Sequence, residues 1–242
     1  MTIVFVGCLQ TALAQNTIAS IRKAYQEQKE AIALMSDDFP GEGTPPVYYH
    51  LHVAQNLPGT GPHHENVHMY YGELPSEEEG DPFPPHYLSF VSSKYNFAAR
   101  EYYEEYLYDD KGQVMFIYAI TPDVMLGELW PYELRMWFDG RRLLRFMAKR
   151  YDGQPDYLDI ATLRKATWKE EYTGKAIPEK FRQETDRCQQ RAQRYLSMFK
   201  GIDDNTNLSD GDERQNHRAA LALRPSGADG GLGVAASHQR RG

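Results

Sequence analysis

The polar segment at residues 109–112, Asp-Asp-Lys-Gly, constrains the possible fold of this chain more than any other stretch. It separates two runs that are rich in Tyr, Val, Phe and Ile, a composition typical of β-strands. A short polar stretch that ends in Gly suits a type I turn followed by Gly112 in the left-handed region, which is a G1 bulge. The sequence therefore predicts a β-hairpin over residues 100–120.

Side-chain alternation within this hairpin predicts its register. The predicted opposite pairs are Asp109 with Gln113, Tyr108 with Val114, Tyr106 with Phe116, Glu104 with Tyr118, and Tyr102 with Ile120. One face of the hairpin is then almost wholly aromatic and aliphatic. A slip by one residue would scatter these side chains over both faces, so the pattern and the turn support each other.

The remaining periodicity predicts an α+β fold. An amphipathic helix begins near Asn16, further strands cover residues 47–53, 66–74 and 87–95, and a second hairpin covers 132–151. A short helix is predicted near residues 159–168 and a longer one from Pro178, whose apolar stripe comprises Phe181, Thr185, Cys188, Ala192, Tyr195 and Phe199. The expected architecture is an antiparallel β-meander of about six or seven strands, with a long N-terminal helix and C-terminal helices packed on it.

The N-terminal residues predict export. Residues 1–14 are uncharged and end in Ala-Leu-Ala, which fits the apolar region and cleavage site of a signal peptide. Its basic N-terminal region is missing, so the signal is interpreted as truncated. The alternatives are a short buried element, or a lipobox at residues 5–8 that would anchor the protein through Cys8. The expected location is the periplasm or the outside of the cell.

The rest of the chain is predicted to form one domain and a tail. Residues 15–202 carry the periodic pattern of a single α+β domain, whereas residues 203–242 are rich in Gly, Ser, Asp and Arg. Because this composition offers too little apolar surface to offset the ordering entropy, the tail is predicted to be disordered.

Charge and hydropathy argue against two classes of partner. The formal net charge is −7, and nucleic-acid binding requires clustered Lys and Arg. The densest basic run, at residues 141–145, is interpreted as a solvated strand end. Outside residues 1–14, no segment approaches the roughly 18 to 20 apolar residues that span a bilayer. The sequence thus predicts neither a nucleic-acid partner nor a transmembrane segment.

Motifs for nucleophilic catalysis and phosphate binding are missing from the sequence. It contains no Gly-x-Ser-x-Gly, no Gly-rich phosphate loop and no Cys-x-x-Cys. Cys188 lies on an apolar helical stripe and is predicted to be a buried structural thiol. Glu104, placed among tyrosines, would have a raised pKa and could act as a general acid, or could instead accept a hydrogen bond from a Tyr hydroxyl at a sheet edge.

Histidines cluster in the first predicted strands. Six of the eight His lie between His50 and His86, and His50 and His52 share one strand face. A hairpin centred near Thr60 sets His52 opposite His68 and His50 opposite Tyr70. Three converging imidazoles could bind zinc or copper. The alternative is a polar, Tyr-flanked sheet face on which His is simply tolerated.

The first hairpin resembles a known repeat family. Residues 106–114, Tyr-Leu-Tyr-Asp-Asp-Lys-Gly-Gln-Val, look like the turn signature of tyrosine-aspartate repeats. The second hairpin resembles this signature less closely. The order of signal, helix, Tyr-rich sheet and C-terminal helix also resembles uncharacterised secreted proteins of Gram-negative gut bacteria. These resemblances imply twisted hairpins and imply no activity.

The leading functional hypothesis is an exported, non-enzymatic binding or interaction module of the bacterial envelope. Its recognition surface would comprise Tyr48, His50, His52, His68 and Tyr70, because aromatic side chains with polar tips are favoured where proteins recognise partners. A carbohydrate, a peptide or an envelope protein would be the partner. The alternative hypothesis is a metal-dependent enzyme with a site at His50, His52 and His68.

Overall fold

The structure is a computed structural model that describes residues 4–34, 48–76, 84–98, 100–121, 132–151 and 168–222. Within these ranges, the side chains of residues 4–16, 151, 168–170 and 204–222 lie outside the description. The elements are α1 (Val4–Ala33), β1 (Tyr48–Leu57), β2 (Gly61–Glu73), β3 (His86–Phe97), β4 (Arg100–Tyr108), β5 (Val114–Thr121), β6 (Tyr132–Asp139), β7 (Arg142–Tyr151), β8 (Trp168–Gly174) and α2 (Glu179–Ala222).

The strands form one antiparallel sheet in the order β1 to β8, so each strand pairs with its neighbour in sequence. The predicted α+β meander is confirmed, but the sheet has eight strands. Trp168, predicted to end a short helix, instead begins β8. This strand was missed because its Lys-Glu-Glu core has no apolar alternation; it pairs as an edge with β7, where Lys149 lies 3.7 Å from Glu171. Residues 159–167 lie outside the described residues.

The turn of the first hairpin is confirmed. Gly112 has a φ of 75°, and its N–H donates to the carbonyl of Asp109 at 3.0 Å. The Asp109 carboxylate accepts further hydrogen bonds from the backbone N–H groups of Lys111 at 3.0 Å and Gln113 at 2.7 Å. Tyr108 faces Val114 as predicted. A short polar side chain at position 109 and Gly at position 112 therefore fix this turn.

The register beyond the turn differs from the prediction. A β-bulge between Leu107 and Tyr108 leaves Met115 unopposed, so Leu107 faces Phe116 and Tyr106 faces Ile117. Because one extra residue in β5 turns every later side chain to the other face, Tyr106 and Phe116 point in opposite directions and their predicted pairing is wrong. The β4 faces are unaffected, while the two faces of β5 are exchanged.

Each face of the sheet carries one helix. On the α2 face, the predicted stripe is confirmed, since Phe181, Thr185, Cys188, Ala192, Tyr195 and Phe199 are all buried. On the α1 face, Ile21 is buried, and Ile18, Tyr25 and Ile32 pack against a second apolar cluster that includes Phe90, Phe116 and Trp137. The fold is therefore a three-layer arrangement with one apolar core on each side of the sheet.

The chain divides into two compact units, residues 1–200 and 201–242. Helix α2 runs to Ala222, so residues 203–222 are helical where the sequence predicted disorder. Despite its polar composition this segment contains no proline, and its last residues include three alanines, which favour helix. Residues 223–242 lie outside the description. Neither described helix combines the length and apolar character needed to cross a bilayer.

Candidate functional site

The five residues predicted to form a recognition surface lie on the same face of β1 and β2, the face that α1 packs against. Tyr48 faces Tyr70 and His50 faces His68, whereas His52 faces Asn66. The predicted pairings of His52 with His68 and of His50 with Tyr70 are wrong because the turn is centred one residue earlier, with Gly59 and Gly61 at φ values of 72° and 90°. The predicted sharing of one face is nevertheless correct.

These side chains form a row of rings with a buried end and an exposed end. The imidazoles of His50 and His68 stack with centroids 4.3 Å apart and an interplanar angle of 7°, and the Tyr48 and Tyr70 rings lie 5.3 Å apart. Tyr70 is buried in the α1-face core, while His50 and His52 are exposed. His52 is turned toward Asn66, with Nδ1 2.8 Å from Oδ1. Within the described ranges, no group of three or more His, Cys, Asp or Glu side chains is arranged to hold a metal ion.

A cavity of about 530 Å³, the α1-face cavity, lies between α1 and the middle of the sheet. Its lining comprises Arg22, Tyr25, Gln26 and Lys29 from α1, and Glu105, Phe116, Tyr118, Glu133, Arg135 and Trp137 from the sheet. The strand registers align Glu105, Tyr118 and Arg135 in one row, and Leu107, Phe116, Trp137 and Arg145 in the next. Because β4 to β6 are neighbours in register, side chains from three strands line the cavity, and Arg145 of β7 lies opposite Trp137 next to it.

The two carboxylates of the α1-face cavity are each paired with a cation. Lys29 Nζ lies 2.6 Å from Glu105 Oε1, and Tyr25 donates its hydroxyl proton to the same carboxylate. Arg135 Nε lies 2.5 Å from Glu133 Oε1. Both acids are therefore neutralised within the cavity wall, and neither offers a free negative charge to a ligand.

Two further guanidinium groups have no carboxylate partner among the described residues. The guanidinium carbons of Arg22 and Arg145 lie 5.4 and 5.7 Å from the ring centroid of Trp137, which places the indole in contact with two cations. Partial burial lowers the pKa of Arg22, and the positive charges of Arg145 and Arg135 lower it further. This mutual repulsion marks a local excess of positive charge in a chain whose net charge is −7.

Two buried hydrogen-bond donors beside the indole have neither a hydrogen-bond nor an ion-pair partner in the part of the chain that the structure describes. They are the indole Nε1 of Trp137, a residue only 2% exposed, and Nε of Arg145, whereas the buried Nε of Arg135 makes no hydrogen bond but lies 2.5 Å from Glu133 Oε1 in an ion pair. Buried donors are almost always paired in folded proteins, because an unsatisfied one costs about 1–3 kcal/mol. The α1-face cavity is therefore short of acceptors as well as of negative charge.

A second cavity of about 640 Å³ lies beside the turns of the two hairpins and α2. Its polar lining consists mainly of amides, from Gln113, Gln189 and Gln193, together with Arg141. No buried unpaired donor is found among the lining side chains that the structure describes. This cavity therefore has fewer marks of a binding site than the α1-face cavity.

A buried ion cluster joins α2 to the opposite face of the sheet. Arg187 Nη1 and the Tyr95 hydroxyl donate to Glu104 Oε1 at 2.7 and 2.8 Å, while Arg191 Nε and the Tyr106 hydroxyl donate to Oε2 at 2.8 and 2.5 Å. Both oxygens of Glu104 thus accept two hydrogen bonds. Burial raises the pKa of this carboxyl group, and the charge of Arg191 opposes that effect.

Glu65 completes the cluster. It accepts hydrogen bonds from Arg191 Nη2 at 2.7 Å and from the Tyr195 hydroxyl at 2.9 Å. Although burial opposes ionisation, Arg191 and Tyr195 hold the pKa of Glu65 below its ordinary value. Two carboxylates therefore share the guanidinium of Arg191, which fixes α2 to β2 and β4.

Glu104 has surroundings that the sequence predicted only in part. Tyr106 contacts it as expected, but Tyr118 lies on the other face, where its hydroxyl donates to Glu133 at 3.3 Å. Glu104 is fully buried and lines neither described cavity. Its hydrogen bonds to α2 are those of a packing contact. Cys188 is likewise buried as predicted, and burial raises the pKa of its thiol.

Sequence reasoning missed most of the α1-face cavity. Arg145 belongs to the basic run that was interpreted as a solvated strand end, yet its Nε is buried beside Trp137. The available signal was alternation, since Trp137 and Arg145 lie opposite each other across the turn of the second hairpin. The contribution of Arg22 and Lys29 had no local signal, because it depends on where α1 packs.

Comparison with known proteins identifies no relative: no family model matches the chain, and no curated protein or solved structure matches it.

Proposed function

We propose that this chain is a non-enzymatic binding module whose ligand enters the α1-face cavity. The observation that carries the proposal is a cavity of about 530 Å³ lined by four aromatic side chains and the unpaired cation Arg22, with two unpaired buried donors, one on the lining residue Trp137 and one on the adjacent Arg145. Ligand pockets in proteins generally have volumes of about 300–1,000 Å³ and combine apolar walls with a few convergent polar groups. Because both carboxylates of the cavity are ion-paired, the arrangement favours holding a ligand over transferring protons.

The predicted Tyr and His surface extends the same face of the sheet. The ring centroids of Tyr70 and Phe90 are 6.1 Å apart, and those of Phe90 and Tyr25, a residue of the cavity lining, are 6.0 Å apart. Exposed His50 and His52 lie at the outer end of this series of rings. We propose that they contact an outlying part of a carbohydrate, peptide or envelope-protein partner, while Tyr70 supports them from the core.

Export remains part of the proposal. Residues 1–14 have the composition of a signal peptide, and the cavity residues of α1 begin at Arg22, beyond the proposed cleavage site. Removal of the signal would leave these residues in place. The mass of the mature protein tests this proposal, since cleavage after Ala14 and acylation at Cys8 give different N-termini.

The cavity is tested by screening a set of neutral, cationic and anionic fluorinated fragments by ¹⁹F NMR. We expect the full chain to broaden the signals of some fragments. The variant Gln26→Trp, which places a large ring at the cavity lining, should abolish this broadening. The matched control is Lys23→Trp, because Lys23 is exposed on α1 and lies outside the lining. Broadening that survives Gln26→Trp, or no broadening with any fragment, would contradict the proposal.

A metal-dependent enzyme at His50, His52 and His68 is the second candidate, and the stacked pair of His50 and His68 is the observation that favours it. Two adjacent imidazoles could supply two ligands, and His52 would have to leave Asn66 to supply a third. Elemental analysis of the untagged protein decides this candidate. A stoichiometric amount of zinc or copper, lost together with stability in a chelator, would support it.

A further inference from the structure

The α1-face cavity also indicates the chemical class of its ligand. Resting on the binding function proposed above, we infer that the ligand is a small organic anion with a flat aromatic ring. Three features of the described residues lead to this class: the balance of charge, the unpaired donors and the ring walls.

The balance of charge favours an anion. Arg22, Lys29, Arg135 and the adjacent Arg145 supply four positive charges, whereas Glu105 and Glu133 supply two negative ones. Two cations are consumed in the ion pairs with these acids. The remaining two, Arg22 and Arg145, contact the same indole ring. A ligand carboxylate near that ring would relieve their mutual repulsion.

The unpaired donors favour an acceptor at the same place. Trp137 Nε1 and Arg145 Nε are both N–H donors, and neither has a hydrogen-bond partner in the described residues. A cationic or purely apolar ligand would leave both unsatisfied. A carboxylate has about four lone-pair directions and could accept from an indole N–H and a guanidinium together.

The ring walls favour an aromatic body attached to the anion. The ring centroid of Phe116 lies 5.1 Å from that of Trp137 and 4.9 Å from that of Tyr25. Aromatic rings from two strands and from α1 therefore line the α1-face cavity. Aromatic rings prefer offset or edge contacts with other rings, which a flat ligand can make in a narrow space. A bare inorganic anion would use the charge but leave these walls in contact with water.

The test compares three probes that separate charge from ring. Isothermal titration calorimetry of the full chain would measure 2-naphthoate, the neutral 2-naphthalenemethanol, and inorganic phosphate. We expect 2-naphthoate to bind at one site and at least about tenfold more tightly than the alcohol, which corresponds to one charge-assisted hydrogen bond. Phosphate should bind more weakly than 2-naphthoate.

Variants identify the residues responsible. Arg22→Gln removes an exposed guanidinium and should weaken 2-naphthoate about tenfold, with the affinity for the alcohol unchanged. Trp137→Phe keeps a ring but removes the N–H donor, and should weaken 2-naphthoate several-fold. Arg141→Gln is the matched control, because Arg141 is an exposed arginine that lines the other cavity. It should leave the affinity for 2-naphthoate unchanged.

The outcomes separate this inference from the binding function itself. If 2-naphthoate and 2-naphthalenemethanol bind with equal affinity, or if Arg22→Gln has no effect, the ligand is not required to be an anion, although the cavity is still a binding site. If phosphate binds as tightly as 2-naphthoate, the ligand is not required to have an aromatic ring. If no probe binds but neutral or cationic fragments are lost in Gln26→Trp, only the ligand class is wrong. If those fragments also fail, the binding function is wrong with it.

Discussion

Glu104 and Glu105 are neighbours in β4, yet they serve two different kinds of interface. Glu104 points to the α2 face, where two arginines and two tyrosines saturate both of its oxygens. Glu105 points to the α1 face, where Lys29, Tyr25 and Tyr103 donate hydrogen bonds to it at the edge of a cavity. The strand alternation places successive carboxylates on opposite sides of the sheet, and the helix on each side determines what the charge does.

The difference lies in how completely charge is balanced. On the α2 face, Glu65 and Glu104 share Arg191, and these three residues line neither of the two cavities described above. On the α1 face, Arg22 and Arg145 lack carboxylates and two donors lack acceptors. A saturated cluster fixes a helix in position, whereas an unsaturated one is a place where a ligand can complete the contacts.

Replacing Glu104 should have the largest effect on stability. Glu104→Ala leaves Arg187 and Arg191 facing a buried void, and breaking a buried ion cluster from one side costs about 3–5 kcal/mol. We expect a corresponding loss in the free energy of unfolding, measured by urea denaturation. Glu105→Ala is the matched control on the adjacent residue. Its ion-pair partner Lys29 is partly exposed and can return to water, and only the hydroxyls of Tyr25 and Tyr103 lose an acceptor, so the loss should be smaller, about 1–2 kcal/mol.

Equal losses for the two variants would contradict the distinction between a saturated and an unsaturated face. A loss below about 1 kcal/mol for Glu104→Ala would have the same meaning, because it would imply that the arginines find other partners or reach solvent.

Substitutions in the row of rings on β1 and β2 should affect stability at its buried end and not at its exposed end. Tyr70→Ala removes a side chain that is 9% exposed and packs on Phe90, so we expect a loss of about 3 kcal/mol in the free energy of unfolding. The double variant His50→Ala and His52→Ala should change stability by less than about 0.5 kcal/mol, because both side chains are exposed. A loss of stability well below this value for Tyr70→Ala would indicate that Tyr70 belongs to the recognition surface and not to the core.

Glu184, on the α2 face, should make stability depend on pH. Burial raises the pKa of Glu184 to about 7, with the nearby charge of Glu104 adding to the effect and the hydroxyl of Thr121 opposing it. In the unfolded chain the carboxyl group titrates near its ordinary pKa of 4.5. Between these pKa values the folded protein keeps a proton that the unfolded chain has lost. The contribution of this group is therefore fully present below about pH 4.5 and is lost as the pH rises through 7.

Glu184→Gln isolates this effect, because it keeps the shape of the side chain without the titration. Relative to the parent, the variant should be unchanged in stability near pH 4.5 and gain up to about 3 kcal/mol at pH 8. Urea denaturation across this pH range measures the difference. A variant that loses stability at pH 8 would show that the ion pair with Arg187 outweighs the cost of burying the carboxylate.

The same comparison explains what the sequence could and could not predict. The helix stripe through Cys188, the Gly112 turn and the antiparallel order follow from local pattern, because each depends on residues close in sequence. The bulge at Leu107 changes the faces of β5, and no turn or propensity signal specifies it. Nothing in the helix pattern singles out Arg187 and Arg191, whose bonds to Glu104 span 83 and 87 residues. Both clusters depend on contacts between residues distant in sequence, which a pattern does not contain.

The smallest effect is expected at the N-terminus of α1. Among the side chains that the structure describes, Ile18, Ile21, Tyr25 and Ile32 of this helix pack against the sheet, and the proposed signal ends before them, at Ala14. If residues 1–14 are a cleaved signal, a chain lacking them should unfold within about 0.5 kcal/mol of the full chain and bind 2-naphthoate with unchanged affinity. Ile21→Ala in the same chain should cost about 2–3 kcal/mol, since Ile21 is 3% exposed. A larger loss on truncation than at Ile21 would make residues 1–14 part of the folded domain, and would contradict the proposal that they are a cleaved signal.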